Sequence, residues 1–194
     1  MTALAWALLP VAYLLGTFPS ASIVARANGL DIRSVGSGNP GASNVTRVLG
    51  WRRGIWVFVL DAAKGALAAG LGLVVDDRPA AYAFGAAAVI GHVFPVWERF
   101  RGGKGVAAGG GVAAVVAPIA FVVLVALWFV ISKLSGKASV ASIAIVALLP
   151  VGVWLERREL WEVAAIVGVC VLVMARHLGN IRRLVGGREH ELSG

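Results

Sequence analysis

Long apolar runs separated by short polar segments leave this chain few ways to fold. The first, Leu4 to Ala25, exceeds the roughly 20 residues a helix needs to cross a bilayer core. Gly54 to Val75, Ala80 to Val96, Ser139 to Leu155 and Leu160 to Ala175 repeat the pattern. In lipid the backbone must satisfy its own hydrogen bonds, so runs of this kind become helices. Only 14% of the 194 residues are charged, against about a quarter in an ordinary soluble domain. The expected fold is all-α: a polytopic membrane protein, with residues 1–194 forming one integral-membrane domain.

Val106 to Ile131 is ambiguous, either one long span or two short ones broken at Pro118. Charge decides between them. No basic residue precedes Arg26, so the positive-inside rule puts the N-terminus outside and Arg26 inside. The same lack of a basic leader argues against a cleavable signal peptide. If Val106–Ile131 crosses twice there are seven spans, and of the 18 cations only Arg78, Arg157 and Arg158 lie outside, with Lys64 within a span. With six spans, Lys133, Lys137 and the basic tail would move outside, against the rule. The sequence therefore predicts a seven-transmembrane-helix bundle, N-terminus outside and C-terminus cytoplasmic. The net charge of +8 then reflects topology, and the expected partner is the lipid bilayer with no nucleic acid. The oligomeric state is not readable. Cys170, the single cysteine, lies in an apolar run and reads as packing.

This topology puts three polar, basic segments on the cytoplasmic side, where they can converge. In the first, Gly36, Gly38 and Gly41 free the backbone for close approach to a ligand. Ser37, Asn39, Ser43, Asn44 and Thr46 add hydroxyls and amides, and Arg47 a planar cation suited to phosphate oxygens. A plain glycine-rich turn would read the same way. The second segment carries Gly102, Gly103 and Lys104 just before an apolar run. Inward-pointing amides at a helix start, beside a lysine, would bind an anion. It is not a Walker A loop, because Glu98 stands where the first glycine belongs and Gly105 replaces the Ser/Thr. In the third segment, a helix running through Leu184 would set His177, Asn180 and Leu184 on one face.

Asp61 and Lys64 lie three residues apart within the second span. Intramembrane charges are costly and pair inside the bundle, so this is a structural ion pair or a support for the first loop. His92 ends the third span near the second loop. There is no GxSxG elbow and no carboxylate pair placed for acid–base work, and His92, His177 and His190 lack zinc-ligand spacing. No metal and no cofactor are expected.

Three motifs occur in order: Gly36-Ser-Gly-Asn-Pro-Gly-Ala-Ser-Asn44, Gly91-His-Val-Phe-Pro95 with Phe100-Arg-Gly-Gly-Lys-Gly-Val106, and Arg176-His-Leu-Gly-Asn-Ile-Arg-Arg-Leu184 with Gly187-Arg-Glu189. Together they closely resemble the signatures of the PlsY family, bacterial acyl-phosphate:glycerol-3-phosphate acyltransferases. The resemblance implies a seven-helix inner-membrane enzyme with its active site on the cytoplasmic face. It implies acyl transfer from acyl phosphate to the 1-hydroxyl of glycerol-3-phosphate, giving lysophosphatidic acid and phosphate at the start of phospholipid synthesis. It further implies that Ser37, Gly38, Asn39, Arg47, Gly102, Gly103 and Lys104 bind phosphate. His177 and Asn180, with Arg47, would orient glycerol-3-phosphate and serve catalysis together with Lys104 and Ser37. Asp61, Lys64, His92 and Glu189 would be supports. Ser43 stands where Thr is common and Arg101 where Lys is common, each keeping the hydroxyl or the charge. The rival reading is a transporter or channel for phosphate or a phosphorylated metabolite, which calls for polar residues deep in several spans.

Overall fold

A computed structural model describes residues 1–192, and no strand occurs among them. The all-α expectation holds. The chain divides into two compact units, one from Met1 to Val116 and one from Ala117 onward.

The first unit holds α1 (Ala3–Gly16), α2 (Ser20–Arg26), α3 (Ala42–Leu49), α4 (Trp51–Val75), α5 (Arg78–Val93) and α6 (Val106–Val116). Thr2 opens α1 by accepting from the Ala5 amide, a side-chain cap for an otherwise orphaned donor. Pro19 has no N–H to give, and the first apolar run breaks there into α1 and α2. The second run begins at Trp51 rather than Gly54, and the third ends in a short 3-10 turn at Val96–Glu98. Between the first two runs lies α3, an element the sequence left unassigned.

α4 is the centre of this unit and packs on α5, α6 and α3. Lipid tails are as apolar as leucine, so close helix approach relies on small residues. A Cβ on Gly65 would strike the Ala108 carbonyl, and one on Gly111 the Ala62 carbonyl, so α4 and α6 touch backbone to backbone. Gly16 and Gly91 do the same for α1 and α5, against Ala88 and Tyr13. Gly111→Ala is therefore expected to lower stability by about 1–3 kcal/mol, the usual cost of overpacking. Gly109→Ala, whose Cβ meets nothing within 4 Å, should be neutral or stabilising. Thermal unfolding of the two variants in detergent checks the contrast.

The second unit holds α7 (Pro118–Ser135), α8 (Ala138–Leu155), α9 (Leu160–Arg176) and α10 (Leu178–Val185). The break expected within Val106–Ile131 is present: α6 stops at Val116 and Pro118 opens α7, where a missing N–H costs nothing. Gly136, at φ 67°, turns α7 into α8, and reciprocal bonds between Glu159 and Glu162 cap α9.

Among the described residues, five stretches are long and apolar enough to cross a membrane: Ala3–Arg26, Trp51–Val75, Arg78–Glu98, Pro118–Ser135 and Ala138–Leu155. Leu160–Arg176 and Leu178–Val185 make a sixth if the pair, bent by 53°, is one span. α6 is apolar but has only 11 residues.

Candidate active site

The first loop is built around Asn44, which is only 1% exposed. Its Nδ2 donates to the carbonyls of Ile32 (3.2 Å) and Val35 (3.1 Å). Its Oδ1 accepts from the Ser37 amide (2.9 Å) and from Arg47 (3.3 Å). One buried amide thus uses its donors and its acceptor to bring Ser37 and Arg47 to the same point. Gly36 (φ 58°) and Gly38 (φ 68°) take the left-handed conformation that reverses the chain on either side of Ser37, and a Cβ on Gly36 would strike Asn44 Oδ1. The Asn39 amide donates to Ser37 Oγ (3.4 Å). Ser37, Gly38, Asn39 and Arg47 are all half-buried, as groups facing a ligand should be.

The second loop reverses through two consecutive left-handed residues, Arg99 (φ 52°) and Phe100 (φ 60°). Each costs roughly 1–2 kcal/mol for an L-residue. The Phe100 amide is held by the Pro95 carbonyl at 2.9 Å. The reversal lays Gly102 and Gly103 back along the end of α5. There the Gly102 amide donates to Val93 O (3.0 Å) and the Gly103 amide to His92 O (3.1 Å). This corrects the expectation that these amides point at an anion, because both are spent closing the turn. The glycines are needed for space: a Cβ on Gly103 would strike the His92 ring, and one on Gly102 the His92 carbonyl. Lys104 follows, half-buried, and Gly105 (φ 92°) leads directly into α6. A lysine beside the positive end of a helix is a favourable place for phosphate. An Arg33–Glu98 ion pair of 3.0 Å ties the first loop to the second.

Asp61 and Lys64 form the expected pair, 2.8 Å apart. Lys64 Nζ also donates to the Phe18 carbonyl (2.9 Å) and meets His92 Nδ1 at 3.1 Å. Asp61, Lys64 and His92 are 2%, 6% and 7% exposed, so this polar cluster lies inside the apolar unit. Beside it runs a solvent-open cleft whose walls include Ser20, Arg33, Pro40, Glu98 and Gly102.

In the second unit the single helical face expected for His177, Asn180 and Leu184 is interrupted. α9 ends at Arg176, α10 starts at Leu178, and His177 stands at the bend. His177 and Asn180 are nonetheless buried. His177 Nδ1 lies 2.8 Å from Val173 O, which can only accept, so Nδ1 carries a proton and donates it there. Asn180 Nδ2 donates to Glu189 Oε1 (2.6 Å), which fixes Oδ1 as the amide's acceptor face. Glu189 is also held by Arg183 (2.9 Å). Burial pushes the Glu189 carboxyl up, but the bonds from Asn180 and Arg183 outweigh it and hold the group below its ordinary value of 4.5. A depressed carboxylate stabilises the fold above its unfolded value, and that contribution is lost as pH falls through the folded one. Acidification below about pH 4.5 should therefore destabilise the protein more than Glu189→Gln, measured as unfolding temperature against pH.

Sequence reasoning passed over Asn44 as a site residue and missed the Arg33–Glu98 pair. Asn44 lay in plain view within the glycine-rich motif, but nothing in one sequence separates a buried organiser from its polar neighbours. Among the described residues no group of His, Cys, Asp and Glu could hold a metal ion.

Residues 6–187 match the family model described as glycerol-3-phosphate acyltransferase. A glycerol-3-phosphate acyltransferase of Methylococcus capsulatus is 40% identical over 190 residues, 96% of each chain. One from Bacillus velezensis is 38% identical over 186 residues, 95% of this chain and 96% of the other. Among solved structures, the integral membrane glycerol 3-phosphate acyltransferase PlsY (YgiH) in its glycerol 3-phosphate form matches with a TM-score of 0.92 at 36% identity, covering 97% of this chain and 96% of that one. Its lysophosphatidic acid form matches at 0.91 and 34% identity, covering 97% of this chain and 95% of that one.

Proposed function

The chain belongs to the glycerol-3-phosphate acyltransferase family, and we propose that it transfers an acyl chain from acyl phosphate to the 1-hydroxyl of sn-glycerol-3-phosphate. The products are 1-acyl-glycerol-3-phosphate and inorganic phosphate. What carries this reading is the near full-length likeness to an enzyme solved with glycerol 3-phosphate. The whole chain acts as one enzyme in the bacterial inner membrane. α6 and the bent α9–α10 pair complete seven crossings, with the active site on the cytoplasmic face.

Ser37, Arg47 and Lys104 hold phosphate. Asn44 supports this by fixing two of the three in one cage. His177, anchored through Nδ1 to Val173 O, and Asn180, anchored through Nδ2 to Glu189, orient glycerol-3-phosphate. Acyl phosphate is a mixed anhydride whose leaving group needs charge stabilisation more than protonation, and fixed cations supply it. Positioning supplies much of the remainder, since effective molarities reach about 10⁵–10⁸ M. Transfer is direct. The hydroxyl oxygen bonds to the acyl carbon, the carbon–phosphate oxygen bond breaks, and the hydroxyl proton passes to the departing phosphate.

Purified protein given acyl phosphate and glycerol-3-phosphate should release phosphate and lysophosphatidic acid in equal amounts. No product in a competent lipid or detergent sinks the enzyme reading, and an acyl-enzyme trapped on Ser37 sinks direct transfer. His177→Ala should lower kcat/KM for glycerol-3-phosphate by on the order of 10²-fold, as for a misplacement of the attacking hydroxyl by about 1 Å. A transporter would require substrate flux without product. The Asp61–Lys64–His92 cluster offers such a path little, because each charge in it is already neutralised by a neighbour.

A further inference from the structure

We propose that Lys64 is a positioning residue for Lys104, acting through His92 and the Gly102–Gly103 turn; this rests on the reading that Lys104 holds substrate phosphate. The ammonium has three protons and three acceptors around it: Asp61 Oδ1 at 2.8 Å, Phe18 O at 2.9 Å and His92 Nδ1 at 3.1 Å. Asp61 and the carbonyl can only accept, so Lys64 is a donor throughout and His92 Nδ1 receives its third proton. His92 is thereby set in the tautomer with hydrogen on Nε2, the edge that lies against Gly103. The same residue's carbonyl accepts the Gly103 amide at 3.1 Å. His92 thus holds the turn by ring and backbone together, and Lys104 is the next residue along. A buried lysine that served packing alone would not need a polar contact with the ring pressed against Gly103.

Replacing Lys64 alone would strand Asp61 as an unpaired buried charge. The test therefore uses the double replacement Asp61→Asn with Lys64→Met in the full chain, purified in detergent. Its folded fraction should elute and unfold like the parent. Its kcat/KM for glycerol-3-phosphate should fall by on the order of 10²-fold, as for a misplacement of about 1 Å. Adding Lys104→Ala should then cost no more than Lys104→Ala alone, since both changes remove one function. Parental kinetics in the folded double variant, or losses that multiply with Lys104→Ala, would overturn the proposal while leaving the phosphate reading intact. Full turnover in Lys104→Ala would instead remove the phosphate reading, and this inference with it. Should the double variant not fold, nitrogen-15 spectra of the parent, with His92→Asn for assignment, decide the matter. Hydrogen on Nε2 of His92 supports the chain of bonds, and hydrogen on Nδ1 breaks it.

Discussion

Lys104→Ala is expected to reduce turnover by on the order of 10²–10³-fold with little effect on stability. The side chain is half-buried, follows a turn closed by two backbone hydrogen bonds and precedes α6 directly. Its charge adds to the positive end of that helix, so removing it weakens the field that would hold the proposed phosphate. Because the amides of Gly102 and Gly103 are committed to Val93 and His92, they cannot take its place. Lys104→Arg keeps the charge but exchanges a compact ammonium for a longer planar fork, and should recover only part of the rate. Phosphate release at saturating substrate, with unfolding temperature measured in parallel, checks both statements.

The second large effect is expected at Asn44. Asn44→Asp retains acceptors for the Ser37 amide and Arg47 but turns oxygen toward Ile32 O and Val35 O, where Nδ2 now donates. Each unsatisfied buried partner costs about 1–3 kcal/mol, and the new charge adds its own burial penalty. Arg47 offsets part of this. The loop should lose its conformation, with a kcat/KM loss comparable to Lys104→Ala and, unlike Lys104→Ala, a clear fall in unfolding temperature. If the variant keeps parental activity, Asn44 does not organise the loop.

The helices were legible because apolar runs long enough to span lipid have no other stable backbone solution. Pro118 marked where Val106–Ile131 could break, since proline at a helix start is cheap and in its middle is not, and the distribution of charge decided that it does. The Asp61–Lys64 pair was legible too, three residues apart in an apolar helix. Its third member was not: His92 comes 28 residues after Lys64, and their contact depends on how α4 packs against α5. The same holds for Arg33 and Glu98, 65 residues apart. Gly102 and Gly103 were legible as glycines but not in purpose. A glycine pair beside a lysine reads as an open cradle, whereas here the missing side chains make room for the His92 imidazole at Gly103 and for the carbonyls of His92 and Val93 at Gly102. Only the fold distinguishes space left for a ligand from space left for a neighbour.

The break between α1 and α2 bears on how the protein enters its membrane. Where the helix breaks at Pro19, the Phe18 carbonyl accepts from both the Ser20 amide and Lys64, a cation set within the apolar body of a span. A lysine at mid-membrane costs about 2.5–3.5 kcal/mol on insertion scales. During synthesis Phe18 and Asp61 have both left the ribosome before Lys64 does, and only His92 is still to come. Two of the three acceptors of Lys64 thus precede it in the chain, and the carboxylate sits on its own helix. The third acceptor, His92, lies at the end of α5, so the charge buried in α4 is fully satisfied only by the element that leads to Lys104.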